Sequence, residues 1–438
     1  VRQDREHLTP DDSTAPLGVI ADDITGALDT GVQFAKAGLE TVLLLAVGER
    51  STIPVKPGQV HVRSTNSRDG GIETARHRAE RAAELLRSKS LYKKIDSTMR
   101  GHTGTEIEAI LNAARFARAV VCPAVISQGR IVREGQLYVQ GRPLHASEFA
   151  RDPIWPAKTS DMAGLLGVPA THLPLDTVRS GPESLAQAIL GAPTSIVTVD
   201  TVEQADIQRV AGAAVLSRCL PCGALGLARA WIDCLLAAGF VTVPCTGSRS
   251  NRENRKGLER GARPLLIVAG SRHPVTRVQL RRATAARDLV EIEVMANDVS
   301  AQAKSWALME AALAAERTVI VRSPFKEIHY ASERRTLNET MAAWARRACQ
   351  ELTLGGLVLT GGETAQRVCR ALGAMAIDIL GELEPGIPWG RLAGGIVPGM
   401  PVVTKAGGFG RPDSLICVVD ALQQTVQMPL VRSKGANP

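Results

Sequence analysis

Short apolar runs alternate with longer stretches of helical spacing along most of this chain. "LGVIA" (17–21), "TVLLLAV" (41–47), "QVHVR" (59–63), "LYKKI" (91–95), "RAVVC" (118–122) and "SIVTVD" (195–200) read as strands. Between several of them lie segments such as "GIETARHRAERAAELLRSK" (71–89), whose apolar residues recur once per helical turn. This alternation predicts crossover units and a mostly parallel sheet. It breaks over 123–181, a stretch rich in Pro, Gly and Arg, which reads as a hairpin, "RIVREGQLYVQGRPL", followed by an active-site flap. "CTGSRSNRENRKGLERGARP" (245–264) is polar and basic with no apolar period, and reads as a linker. After it the alternation restarts with "LLIVAG" (265–270), "LVEIEV" (289–294), "TVIVR" (318–322), "GLVLT" (355–359) and "PVVTKAG" (401–407), with helices expected near 300–316 and 331–352.

The expected architecture is therefore two tandem α/β domains with mostly parallel sheets. The boundaries read as a disordered tail over 1–16, an N-terminal domain over 17–244, a linker over 245–263, a C-terminal domain over 264–425 and a tail over 426–438. A length of 438 residues agrees, since one domain usually takes ~100–200. Hydrophobic content of 45% and charged content of 22% are ordinary globular values. No apolar run approaches the ~18 residues of a membrane span. The polar start "VRQDREHLTPDDSTAP" has no apolar core for export and reads as a tail.

Charge narrows the partners. A net charge of +8 favours anionic ligands, while aromatics at 3% leave few stacking platforms for single-stranded nucleic acid. Nucleic acid and membrane are not expected as partners. The eight cysteines are scattered. Cys219 and Cys222 form one C-x-x-C without the second pair or the histidines of a zinc site, so reduced thiols and a cytoplasmic location are expected. His102, His145, His273 and His329 have no metal-ligand spacing and read as structural or solvent-facing.

Chemistry concentrates where strands end. In parallel α/β sheets ligands bind beyond the carboxyl ends of the strands. Asp22 and Asp23 stand there, between "VIA" and "ITGALDTG". Helix capping explains one of them. The expected division has Asp22 capping the Thr25 turn and Asp23 aimed at a substrate. "KKIDSTMRGHTGTE" repeats the geometry, with Lys93, Lys94, Asp96, Ser97, Thr98 and Arg100, around the apolar Ile95, able to bind an anion or orient a hydroxyl. "STNSRDGG" adds Arg68, expected with Lys94 to hold a substrate carboxylate. Asp23 is the first candidate for catalytic base, and Asp96 competes with it.

The second half carries Gly-rich turns: Ser271 after "IVAG", the run Thr360-Gly361-Gly362-Glu363-Thr364, and Lys405 followed by Gly407, Gly408 and Gly410. Small residues at a helix start let backbone N–H groups approach phosphate. There is no P-loop, no dinucleotide fingerprint after a strand and no G-x-S-x-G elbow. A nucleotide-binding domain of another type is expected. Two other classes stay open on these residues: a non-catalytic nucleotide-dependent sugar-acid sensor, and a dehydrogenase, which the missing fingerprint disfavours.

Taken in order, "ADDITGALD", "KKIDSTMRGHTGTE", "GRIVREGQLYV", "FARDPIWP", "AGSRHPVT", "LTGGETA", "ELEPGIPWG" and "VVTKAGGFG" resemble the four-carbon acid sugar kinases, long a family of unknown function. They run from residue 21 to residue 410. The resemblance implies an N-terminal domain that binds a sugar acid, a C-terminal domain that binds ATP, and an active site in the cleft between them. It places substrate contacts on Asp23, Arg68 and Lys94 to Ser97, and nucleotide contacts on Ser271, Gly361 to Thr364 and Gly407 to Gly410. Mg²⁺ is expected with the nucleotide, with its ligands unassigned, and a homodimer is admitted as an assembly. "SRHP" departs from the family pattern, which has a small residue or a second Ser where Arg272 or His273 stands. "FARDPIWPAKTSDM" resembles the members that act on D-threonate more than those acting on 3-oxo-tetronate. D-erythronate is the further alternative.

Overall fold

The computed structural model describes residues 17–45, 58–86, 90–152, 154–243, 263–296, 298–325 and 331–423. The expected tails, and all of the expected linker but Arg263, lie outside the described residues. The chain divides into two compact units, Val1–Pro244 with Met375–Leu380 and Cys245–Ala374 with Gly381–Pro438.

The first unit opens with β1 (Gly18–Ala21), α1 (Ile24–Lys36), β2 (Thr41–Leu44), β3 (Val60–Ser64), α2 (Ile72–Leu86), β4 (Leu91–Lys94), α3 (Thr103–Ala114) and β5 (Ala119–Cys122). A small antiparallel sheet follows, of β6 (Arg130–Arg133), β7 (Gln136–Val139) and β8 (Arg142–Pro143). This is the expected hairpin. The unit continues with α4 (Met162–Leu166), β9 (Thr171–Leu173), α5 (Leu175–Arg179), α6 (Pro182–Gly191), β10 (Ile196–Val199), α7 (Gln204–Ser217), β11 (Leu220–Gly223) and α8 (Leu225–Ala237). The main sheet runs β2–β3–β1–β4–β11–β5–β10–β9, all parallel. Strands buried on both faces read as continuous apolar runs, as "GVIA" and "AVVC" do. Residues Ala376–Ile379, far along the chain, add an antiparallel partner to β2.

The second unit contains β12 (Leu265–Ala269), α9 (Pro274–Ala286), β13 (Leu289–Glu293), α10 (Val299–Ala314), β14 (Thr318–Arg322), α11 (Ala331–Glu351), β15 (Gly356–Thr360), α12 (Gly362–Ala371), part of β16 (Ala376–Glu384), β17 (Ile387–Ala393), β18 (Pro401–Lys405) and α13 (Ser414–Gln423). Its order is β13–β14–β12–β15–β18–β17, with only β17 antiparallel.

Connectivity fixes where ligands go. β1 leads through α1 to β2 on one side, while its neighbour β4 leads through α3 to β5 on the other. Right-handed crossovers then put α1 and α3 on opposite faces, which opens a crevice beyond the carboxyl ends of β1 and β4. α2 packs on α3, and α1 on α8. The second unit repeats this at β12 and β15, followed by α9 and α12; α12 packs on α11, and α9 on α13. Register keeps these ends level. Ala21 pairs with Ser64 and Lys94, and Thr360 pairs with Ala269 and Lys405.

Candidate functional site

Asp22, Arg68 and Asp96 sit on the loops that leave β1, β3 and β4, and they meet. Arg68 donates from Nε to Asp22 Oδ2 at 2.6 Å and from Nη2 to Asp22 Oδ1 at 2.9 Å. Its Nη1 reaches Asp23 Oδ2 at 2.9 Å and its Nη2 reaches Asp23 Oδ1 at 3.0 Å. Asp96 Oδ1 lies 3.8 Å from Nη1. Arg68 therefore orders the protein's own carboxylates, and the expectation that it clamps a substrate carboxylate meets a guanidinium already taken up by them.

The helix cap expected of Asp22 falls instead on its neighbour. Asp23, not Asp22, caps α1: its Oδ1 accepts from Gly26 N at 2.8 Å and its Oδ2 from Thr25 Oγ1 at 2.7 Å. The reason is positional. The helix starts at Ile24, and a cap bonds the amide three residues on. Gly26 is needed there, because a Cβ on it would stand 2.6 Å from Asp23 Oδ1 and 3.1 Å from Lys94 Nζ. Asp22, one residue earlier, points to Arg68.

Asp96 occupies the same place after β4. Its Oδ2 accepts from Thr98 N at 3.1 Å, from Thr98 Oγ1 and from Arg100 Nε at 3.0 Å. Its Oδ1 accepts from Arg100 Nη2 at 2.8 Å. Met99, in this turn, holds φ at +62°, a backbone state that bulky residues rarely adopt and that clusters at functional sites. Burial raises the Asp96 pKa, but Arg100 and then Arg68 outweigh it and hold it well below the usual carboxylate value. Burial also raises that of Asp22, and Arg68 again reverses the direction. Arg68 itself is destabilised as a cation by burial, then driven well above its ordinary value by Asp22, Asp23 and Asp96.

Lys94 Nζ donates to the Ile95 carbonyl at 2.8 Å, while the Ile95 side chain belongs to the apolar core. Ser97 is half-buried on the Asp96 turn. Lys93 is no anion-binding group, contrary to the sequence reading. It is fully buried, with Nζ 2.6 Å from Glu106 Oε2. Ser67 Oγ also donates to Glu106, and Thr65 shares a hydrogen bond with Ser67 at 2.6 Å. This buried chain under the Arg68 loop was missed; Glu106, an acid on the apolar face of α3, was the clue. The expected flap reaches the same loops. Trp155 Nε1 donates to Asp69 Oδ1 at 3.0 Å, and Asp152 Oδ2 lies 3.5 Å from Arg100 Nη1.

In the second unit the three Gly-rich loops are bonded to one another. Ser271 N donates to Thr360 O at 3.2 Å, and Gly361 N to Lys405 O at 2.9 Å. Thr276 Oγ1 donates to Gly407 O at 2.8 Å. A Cβ on Gly407 would stand 2.1 Å from Ser271 Oγ, so glycine alone permits this approach. Gly361, with φ at +99°, caps α12 without a side-chain bond, so the amides from Gly362 on have no side-chain cap there. Thr364 ties that helix to Asn338 Oδ1 at 3.0 Å. Glu363 turns away and accepts from Arg367 Nη2 at 2.9 Å on the exposed surface. Lys405 is buried and donates to the carbonyls of Ala406, Gly407 and Phe409 at 2.8, 3.3 and 3.1 Å. Gly408 lies beside the His273 ring, and Gly410 has φ at +87°. The departure "SRHP" has a structural use: His273 Nδ1 accepts from Val275 N at 3.2 Å and caps α9, as a Ser would.

His102 and His145 bond Gly70 O and Ser160 Oγ; His329 lies outside the described residues. Among the described residues no group of three or more His, Cys, Asp or Glu side chains is placed to hold a metal ion.

Two family models match this arrangement, a sugar-binding N-terminal domain over residues 17–231 and a nucleotide-binding C-terminal domain over 266–415. The chain belongs to the four-carbon acid sugar kinase family. This kinase is 35% identical to a D-threonate kinase of Bordetella bronchiseptica over 93% of its own length and 98% of the relative's. It is 32% identical to a D-threonate kinase of Salmonella typhimurium, over 94% and 98%. A D-erythronate kinase of Heliobacterium modesticaldum is 31% identical, over 92% and 96%. A solved structure from Haemophilus influenzae shares the fold at a TM-score of 0.68, with 21% identity over 94% of this chain and all of that one. Family membership makes the protein a phosphotransferase with an alcohol acceptor and a nucleotide donor. No helix among its described residues is long and apolar enough to cross a membrane.

Proposed function

We propose that this kinase transfers the γ-phosphoryl group of ATP to the terminal 4-hydroxyl of a four-carbon sugar acid, with D-threonate as the substrate. The observation that carries the reading is the pairing of two loaded switch points: aspartates and arginines beyond β1 and β4, and glycine-lined helix starts beyond β12 and β15. Near-complete coverage of two D-threonate kinases supports the choice of acid.

Bound ATP supplies the phosphoryl group and carries Mg²⁺ on its phosphates, the usual mode for an ion that needs few protein carboxylates. The amides at the start of α12 and of the 407–410 turn would hold the phosphates, with Ser271 beside them. In the first unit the acceptor hydroxyl must be aimed. Asp23 accepts from Thr25, Gly26 and twice from Arg68, which fills the roughly four acceptor positions of a carboxylate. Those four donors fall two on each Asp23 oxygen, whereas Asp96 gathers its donors from Thr98 and Arg100 Nε on Oδ2 and leaves Oδ1 with one close donor, Arg100 Nη2. We assign the orienting role to Asp96 and a scaffolding role to Asp23. A weakly basic carboxylate suffices, because a loose phosphoryl-transfer transition state asks for positioning more than for early proton removal. The described cysteines are free, which supports a reducing, cytoplasmic setting.

ADP release measured with D-threonate, D-erythronate and 3-oxo-tetronate tests the reading. The highest kcat/KM is expected with D-threonate. ATP turnover unaffected by every acid would reject it.

A further inference from the structure

Arg68 is taken up by Asp22 and Asp23, and Arg100 by Asp96 with Asp152 nearby. Neither presents a whole guanidinium edge to a carboxylate arriving from outside. Arg130, at the start of β6, differs in that no carboxylate among the described residues hydrogen-bonds its guanidinium. Its Cζ stacks 5.9 Å from the centroid of the Phe149 ring, and Arg100 Cζ approaches the same ring at 6.0 Å. Arg130 thus stands one aromatic ring away from the Arg100–Asp96 pair. Among the described residues the acceptor its guanidinium meets is the neutral Gln128 Oε1, and its Nε is buried without a partner. Burial lowers its pKa and Arg100 adds to that, while the charges of Asp96, Glu148 and Asp29 act against it.

A desolvated cation that no carboxylate bonds directly is costly, and a bound anion relieves it. The planar fork of arginine fits a carboxylate through two parallel bonds, and ring stacking fixes the plane of the fork. We infer that Arg130 binds the carboxylate of the sugar acid, with Phe149 holding the guanidinium in place, and so selects acids over neutral polyols. The inference rests on the sugar-acid kinase reading. Of the cations read from the sequence as carboxylate partners, Arg68 is engaged with aspartates and Lys94 gives one bond to a carbonyl, whereas Arg130, inside the "GRIVREGQLYV" motif, carries no role assigned from the sequence.

Steady-state kinetics of Arg130→Gln and Arg130→Lys test it, with circular dichroism to confirm folding. Arg130→Gln should raise the KM for D-threonate by about 30-fold or more, the loss expected when one partner of a buried charged pair is removed. The KM for ATP should stay within about twofold. The inhibition constant of the neutral competitor threitol should not move, which a merely structural role would not achieve. Arg130→Lys keeps charge and stem without the fork and should show a smaller rise confined to the acid; it carries the test if Arg130→Gln does not fold. A wild-type KM for D-threonate in the variants, or an equal rise for acid and ATP, overturns the inference. A wild-type enzyme inert toward every four-carbon acid overturns the parent reading, and this one with it.

Discussion

Arg68 grips both oxygens of Asp22, at 2.6 and 2.9 Å, across 46 residues of sequence. The bond locks the loop after β3 to the loop after β1, and Asp23 and Asp96 face the same guanidinium. Removing it leaves Asp22 and Asp23 without the guanidinium that bonds them, while Asp96 keeps Arg100. Arg68→Met should lower unfolding stability by about 3–5 kcal/mol at neutral pH, the range for a broken buried pair. Asp22 and Asp96 have depressed pKa values in the folded state. Their contribution is therefore complete above the ordinary carboxylate value of about 4 and is lost as pH falls through the folded values. Urea unfolding from about pH 6 downward should show the gap between wild type and Arg68→Met narrowing in acid. A gap of constant width would mean that Arg68 acts by packing alone.

Asp23 and Asp96 separate by experiment. Asp96→Asn should cut kcat by roughly 10²–10⁴-fold while the protein stays folded. Asp23→Ala removes the α1 cap and should cost about 1 kcal/mol in stability, whereas Asp23→Asn, which keeps a capping oxygen, should retain far more activity than Asp96→Asn. Thermal melts beside kcat for the three variants check this. A collapsed kcat in Asp23→Asn with a near-normal one in Asp96→Asn would reverse the assignment.

Burial lowers the pKa of Lys405 to about 8. The folded state then releases this proton near pH 8, while the unfolded chain keeps it to about 10.4. Between these values the unfolded state binds more protons, so the contribution of Lys405 to stability rises with pH. Nucleotide binding should run the other way. Three carbonyls of the 406–409 turn need the three donors of an ammonium. ATP affinity should fall as pH rises through about 8, and this dependence should vanish in Lys405→Met. Calorimetric titration of ATP across that range decides it, and an unchanged pH profile in Lys405→Met would remove Lys405 from the account.

Loops that leave a strand with an acid or a glycine were legible because a parallel sheet puts ligands at that end, and a strand–polar–helix pattern marks it locally. What was illegible depended on distant partners. Lys93 looked like an anion-binding cation at a strand end because nothing near it in sequence reveals Glu106 beneath the sheet. β11, "LPCG", carries a proline and is not among the strands read from the sequence; it takes its place through β4 and β5, which flank it. β16 and β17 take their places through β2 and β18, partners remote in sequence. The move of the cap from Asp22 to Asp23 turned on a one-residue shift in the helix start, which periodicity does not resolve. The histidine cap of α9 has no local pattern at all, since imidazole seldom fills that role.

The central claim is phosphoryl transfer from ATP to the terminal hydroxyl of D-threonate. Phosphorus NMR of the purified enzyme with ATP, Mg²⁺ and D-threonate tests it most directly. The account predicts loss of the γ-phosphate resonance and a new phosphomonoester signal coupled to the protons on C4. Coupling to a proton on C2 or C3, or inorganic phosphate as the sole product, would contradict it.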